Sequence, residues 1–140
     1  MGSVNRFGQK IGREAGNWSR RDKPESIELN GLWCQVRPLR LDDAETLFHE
    51  WQSIDDDRDW TYLSHNRPQS IIQCIDYFNK LSECKQSIHL AVTDKKDNLV
   101  KGIFSVGNID CDNGVFELTD VNWTPQMKRT RISTESIFLV

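Results

Sequence analysis

The sequence lacks a hydrophobic run long enough to cross a membrane, and no apolar segment of the signal-peptide type follows Met1. It also lacks an excess of basic charge, because the formal net charge is −3 over 140 residues. A broad basic face for nucleic acid is therefore not expected. Hydrophobic residues make up 37% of the chain, which suits one domain with a modest core. We expect a cytoplasmic protein that binds neither membranes nor nucleic acid.

Several chemical signatures are missing as well. The four cysteines form no C-x-x-C pair, and the three histidines are scattered, so no metal site and no disulfide framework are predicted. We expect the cysteines to be reduced and mostly to occupy core positions. A G-x-S-x-G nucleophile elbow, a Walker A loop and a G-x-G-x-x-G fingerprint are also absent from the sequence.

Residues 1–30 are polar and glycine-rich, and they are predicted to form an arm without a core of its own. Phe7, Ile11 and Trp18 are the apolar side chains through which this arm would contact the domain. Residues 31–140 are predicted to form the domain. Alternating apolar residues predict strands near 32–37, 88–93, 99–107 and 115–123. Asn113-Gly114 predicts a hairpin before the last strand, and Gly102 is a candidate bulge position.

Three helices are predicted in the same domain. The first begins after Asp42, which with Glu45 matches a capping box, and the second contains Pro68 in its first turn. The third begins between Thr130 and Thr134. The predicted order is β-α-α-β-β-β-α, an α/β (α+β) fold.

The segment between the fourth strand and the third helix predicts an anion site. The first turn of a helix presents free backbone N–H groups and a partial positive charge. Lys128, Arg129 and Arg131 add full charges beside it, so a phosphate or pyrophosphate would be bound there. An ordinary solvated basic loop is the alternative that local sequence leaves open.

Taken together, these features resemble the GNAT superfamily of acetyl-CoA-dependent N-acetyltransferases, and within it the RimJ/RimL-like branch. The family loop is Q/R-x-x-G-x-G/A, and Lys128, Arg131 and Ser133 occupy its three defined places, although both glycines are absent. A subgroup whose loop is R-T-x-x-[AS]-T-E matches better. The positions that match this subgroup along the chain are Asn5, Phe7, Gly8, Gln9, Ile11, Gly12, Asp59 to Leu63, Asn113, Gly114, Glu117, Arg129, Thr130, Ser133, Thr134 and Glu135.

The resemblance implies the GNAT fold, with acetyl-CoA (coenzyme A) as co-substrate and no metal. It also implies that the chain corresponds to the N-terminal part of the domain, a C-terminally incomplete GNAT fold. The implied pantetheine and pyrophosphate contacts are Val121, Trp123, Met127, Lys128, Arg129, Thr130, Arg131, Ser133 and Thr134.

Two residues are candidates for catalysis. Glu117 is placed to orient the acceptor amine or to accept its proton through water, with a surface carboxylate pair as the alternative. Tyr62 is placed to protonate the leaving thiolate, with packing in an aromatic cluster as the alternative. Asp120 is expected on the opposite strand face from Glu117. An acidic loop, 55–59, either attracts a cationic acceptor or is simply solvated.

The expected activity is acetyl transfer to a primary amine of a small molecule or a peptide. Two alternatives stay open: a non-catalytic truncated remnant, and a module that binds a phosphorylated ligand without chemistry. An unpaired strand edge along 115–123 makes self-association as a homo-oligomer plausible.

Overall fold

The computed structural model describes residues 3–25 and 28–140, and its centre is one antiparallel sheet. Five strands follow one another in sequence order across it. They are β1 (Leu29–Asn30), β2 (Cys34–Pro38), β3 (Ile88–Asp94), β4 (Val100–Asp110) and β5 (Val115–Trp123). The four longer strands confirm the predicted ones. The short strand β1 was not predicted, because two residues are too few to show an alternating pattern.

The helices connect and cover this sheet. They are α1 (Asp43–Gln52), a 3₁₀ turn (Arg58–Trp60), α2 (Ile71–Glu83) and α3 (Arg131–Phe138). The predicted order β-α-α-β-β-β-α and the α/β class are thus confirmed, with β1 and the 3₁₀ turn as additions. In the part of the chain that the structure describes, no helix is both long and apolar enough to traverse a bilayer.

Alternate residues of the central strands bury two separate cores. Ala91 joins the side chains of α1 and α2 on one face, whereas Leu90 and Val92 join α3 on the other. Edge-to-face ring contacts link Trp51 to Trp60 and to Phe78 in the core of the first face. The second core contains these buried residues: Cys34, Val36, Leu90, Val92, Phe104, Val106, Met127 and Ile132.

The helix starts differ in detail from the sequence prediction. Asp42 is the N-cap residue of α1, but its side chain makes no capping hydrogen bond, so the predicted capping box is wrong. The neighbouring Asp43 instead accepts two hydrogen bonds from Arg37, at 2.8 and 2.6 Å, and one from the Arg40 amide. In α2 the cap is Ser70, whose hydroxyl accepts from the Gln73 amide, so Pro68 precedes the helix.

Three irregularities interrupt the register of the sheet, one between β3 and β4 and two between β4 and β5. Between β3 and β4, Val92 pairs with Gly102 and Thr93 with Val100, which leaves Lys101 as the extra residue beside the glycine predicted at a bulge. Between β4 and β5, Ile103 pairs with Asn122 and Ser105 with Thr119. Two residues of β5, 120 and 121, therefore stand opposite one residue of β4.

The arm contacts the domain at its second half. Trp18 donates from Nε1 to the Asp112 carbonyl at 2.8 Å, and its ring fills the space that a side chain at Gly114 would occupy. Phe7 and Ile11 are exposed, at 71% and 46%. Of the three contacts predicted for the arm, Trp18 is the one that anchors it to the turn between β4 and β5.

Candidate functional site

The loop between β5 and α3 is fixed to the domain at its first residues. Thr124 donates its amide and its hydroxyl to the Lys101 carbonyl, at 3.0 and 2.6 Å. Met127 is fully buried in the core of the α3 face, and Gln126 bridges Lys101 and Glu50 through its amide group. The Met127 amide donates to the Thr124 carbonyl and its carbonyl accepts from Thr130, so the coenzyme contact assigned to Met127 stays a prediction.

The helix start after this loop leaves donors free. Thr130 is the N-cap residue of α3 in an extended conformation, and its side chain makes no capping hydrogen bond. Its hydroxyl donates backward to the Met127 carbonyl at 2.7 Å, and the Ser133 hydroxyl donates to the Thr130 carbonyl at 2.8 Å. The first-turn amides of α3 are therefore open to an anion.

The three cations of the loop have different surroundings. Lys128 forms an ion pair with Asp59, which turns it toward the segment between α1 and α2. The Arg131 guanidinium lies over the Trp33 ring, 5.1 Å from its centroid. Arg129 is exposed and has no ion pair within the described residues. Arg129 is thus the cation with most freedom to meet a phosphate.

Backbone geometry explains part of the missing glycine pattern. Arg129 has φ of 58°, in the left-handed region, and Arg131 already belongs to the helix. Arg131, which corresponds to the first glycine of the family loop, therefore has helical geometry and does not require a glycine here. The strain lies two residues earlier, where a non-glycine residue in this conformation costs roughly 1–2 kcal/mol.

The other predicted coenzyme contacts lie along the edge of the sheet. Val121 is exposed on β5, and Trp123 packs its ring against Phe104 at a centroid distance of 5.7 Å. Thr134 is exposed on the first turn of α3. Strand β5 is the last strand of the sheet in the described part of the chain, so its outer edge is open beside these residues.

Neither of the two predicted catalytic residues belongs to the loop. Glu117 pairs with Gly107 across the β4–β5 ladder, and its carboxylate accepts a hydrogen bond from Asn108 at 2.7 Å. Tyr62 follows the 3₁₀ turn and is 97% exposed, outside the aromatic cluster in which packing was the alternative. The roles assigned to Glu117 and Tyr62 stay predictions.

A polar cluster that was not predicted lies under the bulge of β5. His89 is hydrogen-bonded through Nδ1 to Ser105 at 2.7 Å, and the His65 ring stacks on Tyr77 at 4.2 Å. Burial lowers the pKa of both histidines, and the charge of nearby Asp120 opposes that shift. We name His65, Tyr77, His89, Ser105 and Asp120 the acidic–imidazole cluster.

The position of Asp120 corrects the sequence analysis. Strict alternation places it opposite Glu117, away from His89, but the extra residue of the bulge breaks the alternation and gives Asp120 a φ of 51°. The charge of Asp120 acts to raise the pKa of His65, Tyr77 and His89, so its carboxylate lies within electrostatic range of all three. No sequence signal marks such a bulge, because it depends on pairing with β4.

The cluster borders a cavity and contains unsatisfied polar atoms. A cavity of about 280 Å³ is lined by residues of the α1–α2 connection and of α2, including His65, Asp76 and Tyr77. Within the described residues, Nε2 of His65, Nε2 of His89 and Nδ2 of Asn122 are buried without a hydrogen-bond partner. Buried polar atoms usually have partners, so these three can serve a ligand.

The acidic loop is largely neutralised by its own neighbours. Asp56 pairs with Arg58, Asp57 with Arg67, and Asp59 with Lys128. Three of the four predicted acidic side chains are therefore already paired. The loop is a weaker attractor of cationic ligands than its sequence suggests.

Comparison with known proteins identifies the fold. No protein-family model and no curated protein matches the sequence. Among solved structures, a GCN5-related N-acetyltransferase from Brucella melitensis is similar with 30% identity and a TM-score of 0.81, over 88% of this chain and 56% of that one. A probable acetyltransferase of the GNAT family from Chromobacterium violaceum has 20% identity and a TM-score of 0.79, over 94% and 66%. An acetyltransferase of the GNAT family from Bacillus anthracis has 15% identity and a TM-score of 0.63, over 81% and 63%.

The fold of this chain is therefore the GNAT fold. The chain spans less than two thirds of the length of each of these three solved structures. The proteins that share the fold are acetyltransferases, which supports an acyltransferase function in general terms. The RimJ/RimL-like branch is finer than these similarities, and it stays a prediction.

Proposed function

We propose that this protein is an acetyl-CoA-dependent N-acetyltransferase that acts on a primary amine. The observation that carries the proposal is the uncapped start of α3, which directly follows the open edge strand β5 in a GNAT fold. Free amides at a helix start, with arginines beside them, form a site for the pyrophosphate of coenzyme A.

The coenzyme would lie along β5 and the loop that follows it. In the proposed complex the pyrophosphate meets the 126–133 backbone, and the Arg129 and Arg131 side chains lie beside it. The pantetheine arm would run past the outer edge of β5 at Val121 and Trp123. Lys128 would contribute less than the two arginines, because it is already paired with Asp59.

The reaction would depend mainly on positioning. The amine nitrogen attacks the thioester carbonyl carbon, the carbon–sulfur bond breaks, and the thiolate leaves. The amine proton passes to a base, for which Glu117 is the predicted candidate and Asp120 a second one, placed beside buried imidazoles. Tyr62 is the predicted candidate for protonating the thiolate; burial raises the pKa of the Tyr77 hydroxyl, which makes Tyr77 a weaker acid for this step.

The acceptor class follows from the acidic–imidazole cluster. The His65 and His89 ring nitrogens lack hydrogen-bond partners within the described residues, and the cavity of about 280 Å³ that His65 and Asp76 help to line is large enough for a small amine or the end of a peptide. We propose an acceptor amine of a small molecule or a peptide terminus, as in the RimJ/RimL-like branch, and a cytoplasmic location.

Calorimetric titration with coenzyme A tests the binding half of the proposal. We expect saturable binding that weakens with added salt, because phosphate recognition by arginines is screened. Arg129→Gln should weaken binding by about 1.5 kcal/mol, as for a hydrogen bond to a charged group. Arg13→Gln makes the same change of charge on the exposed arm and is the control. An unchanged affinity for Arg129→Gln would contradict the loop assignment.

An acetyl-transfer assay with a panel of amines tests the catalytic half of the proposal. The release of free thiol from the coenzyme measures the rate. The 140-residue chain is expected to bind coenzyme A but to turn over slowly, because no strand faces the outer edge of β5 in the described residues. This expectation keeps a ligand-binding module without chemistry as the second candidate. Rapid turnover by the monomeric chain would remove that candidate.

A further inference from the structure

The side chain of Glu135 occupies an unusual site for a carboxylate on an exposed helix. It accepts hydrogen bonds from three successive backbone amides, those of Leu32 at 2.6 Å, Trp33 at 2.8 Å and Cys34 at 2.8 Å. The donors belong to the turn between β1 and β2, about one hundred residues away in the chain. Successive amides that converge on one anion form a concave site that orients it from several directions.

The turn is shaped to accept this carboxylate. Gly31 lies against it, and a Cβ atom at that position would collide with all three atoms of the carboxylate group. The Gly31 amide donates to the Cys34 carbonyl at 2.9 Å, and Lys95 donates from Nζ to the Gly31 carbonyl at 2.5 Å. The turn is therefore closed around Glu135 by its own hydrogen bonds. We call the 31–34 turn together with Glu135 the helix clasp.

A second contact joins the same two elements. Arg131, at the first position of α3, places its guanidinium over the ring of Trp33 in the clasp turn. The carbonyl of Ile132 faces the Cys34 thiol at 3.9 Å. The first turn of α3 is thus held to the start of β2 on the same side as its free amides.

The Glu135 side chain carries a negative charge that bears on how α3 would bind an anion. Desolvation raises its pKa, but the amides of Trp33, Leu32 and Cys34 lower it overall, so the carboxylate is ionised at neutral pH. A negative charge on the helix that would bind a pyrophosphate is unfavourable for anion affinity by Coulomb repulsion. If Glu135 favours anion binding, it must therefore do so by fixing the geometry of the site and not through its charge.

We propose that Glu135 is a positioning residue, which fixes α3 against the clasp turn so that the first-turn amides are preorganised for a pyrophosphate. The inference rests on the proposed function for its ligand and on the three short hydrogen bonds for its mechanism. A fixed array of donors binds an anion better than a mobile one, because less ordering is needed on binding.

The test compares Glu135→Gln with the unsubstituted chain by two measurements. The first is the Kd for coenzyme A from calorimetry, which we expect to rise about tenfold. The second is hydrogen exchange without ligand, which should become faster at amides 32–34 and at the helical amides 135–139. If Glu135 acted only through its charge, removing that charge would lower the Kd. The sign of the change therefore separates the two roles.

A second variant opens the clasp while keeping the charge. Gly31→Ala places a methyl group against the carboxylate, so the same weaker binding and faster exchange are expected with Glu135 intact. Matched controls are Glu83→Gln, an exposed glutamate at the end of α2, and Gly16→Ala, which has free space around its Cα. Both controls should leave Kd and exchange unchanged.

The outcomes separate this inference from the proposed function. Weaker binding and faster exchange in both clasp variants would support it. Unchanged exchange and Kd in both would overturn it and leave the proposed function standing. If the unsubstituted chain did not bind coenzyme A, the proposed function would be wrong, and the exchange rates alone would decide whether Glu135 fixes the helix.

Discussion

The two faces of the sheet are built in different ways. The α1/α2 face packs interlocking aromatic rings of Trp51, Trp60 and Phe78. The α3 face packs mostly aliphatic side chains, with the single ring pair Phe104–Trp123, under one eight-residue helix. Phe138 at the end of that helix and Phe116 on β5 remain exposed, at 86% and 41%. The first face is a closed core, and the second is covered only in part within the described residues.

This difference separates stability from the proposed coenzyme site. The large rings should supply much of the hydrophobic stabilisation of the fold. The buried Arg37–Asp43 pair adds little net stability by itself, but it is costly to break. The anion-binding helix lies on the less covered face, where it depends on the helix clasp for its position. Regions with few buried contacts open locally more easily than the rest of a protein. The comparison predicts that the two faces respond differently to equivalent substitutions.

The largest expected effect is on the buried ion pair of the closed face. Asp43→Asn leaves the Arg37 guanidinium buried without its charged partner, which should lower the free energy of unfolding by about 3–5 kcal/mol. The neighbouring Asp42→Asn should change it by less than about 0.5 kcal/mol, because the Asp42 side chain makes no capping bond. Urea denaturation of the two variants measures the difference. Equal losses would show that the pair adds nothing beyond a surface carboxylate.

A pair of leucines compares the two faces directly. Leu47 in α1 is fully buried, whereas Leu139 at the end of α3 is only partly buried. Leu47→Ala should cost about 2–5 kcal/mol, as for a buried leucine in a packed core. Leu139→Ala should cost less, roughly 1 kcal/mol, because Leu139 lies at the margin of its core and part of its surface is already in contact with water. A similar cost at both sites would contradict the difference between the faces.

The sequence predicts the parts of the fold that depend on local patterns. The alternation in 88–93 and 115–123 and the Asn113-Gly114 turn are local, and the structure confirms these strands and their hairpin. Gly114 has φ of 63°, as such a turn requires. The loop after β5 is also where the sequence places it, since Pro125 interrupts the strand pattern.

The sequence could not predict features that depend on pairing between distant residues. Asp120 acts electrostatically on the imidazoles from a bulge in which β5 has an extra residue relative to β4, and Glu135 meets amides of the 31–34 turn. Glu135 was matched to a family motif, but its partners are not visible in any local window. Lys128 and Asp59 are each predicted in a separate segment, and only the structure pairs them.

A smaller effect is expected from pH on the closed face. Burial lowers the pKa of His65 and His89 below the unfolded value, so the unfolded chain binds more protons as pH falls from about 7. The free energy of unfolding should therefore decrease as the pH falls from the histidine pKa of the unfolded chain to the lower histidine pKa of the folded chain. Asp120→Asn removes the charge that raises both values, so imidazole titration by NMR should show both pKa values lower than in the unsubstituted chain. Unchanged titration curves would place Asp120 away from the cluster.

The smallest expected effect is on the rate of cysteine alkylation. One buried cysteine lies on each face, so a single experiment compares the two faces. Cys74 is buried on the inner side of α2 against α1, and Cys34 is buried under α3. Burial is the main reason that their thiol pKa values are raised, to about 11 and about 12. Thiolates react and thiols do not, so both should be alkylated slowly, whereas the exposed Cys84 should react first.

Because the α3 face is expected to open more easily, Cys34 should be labelled before Cys74, despite its higher pKa. Mass spectrometry of the native chain during alkylation gives the order. Labelling of Cys74 before Cys34 would show that the α1/α2 face opens first and would reverse the comparison.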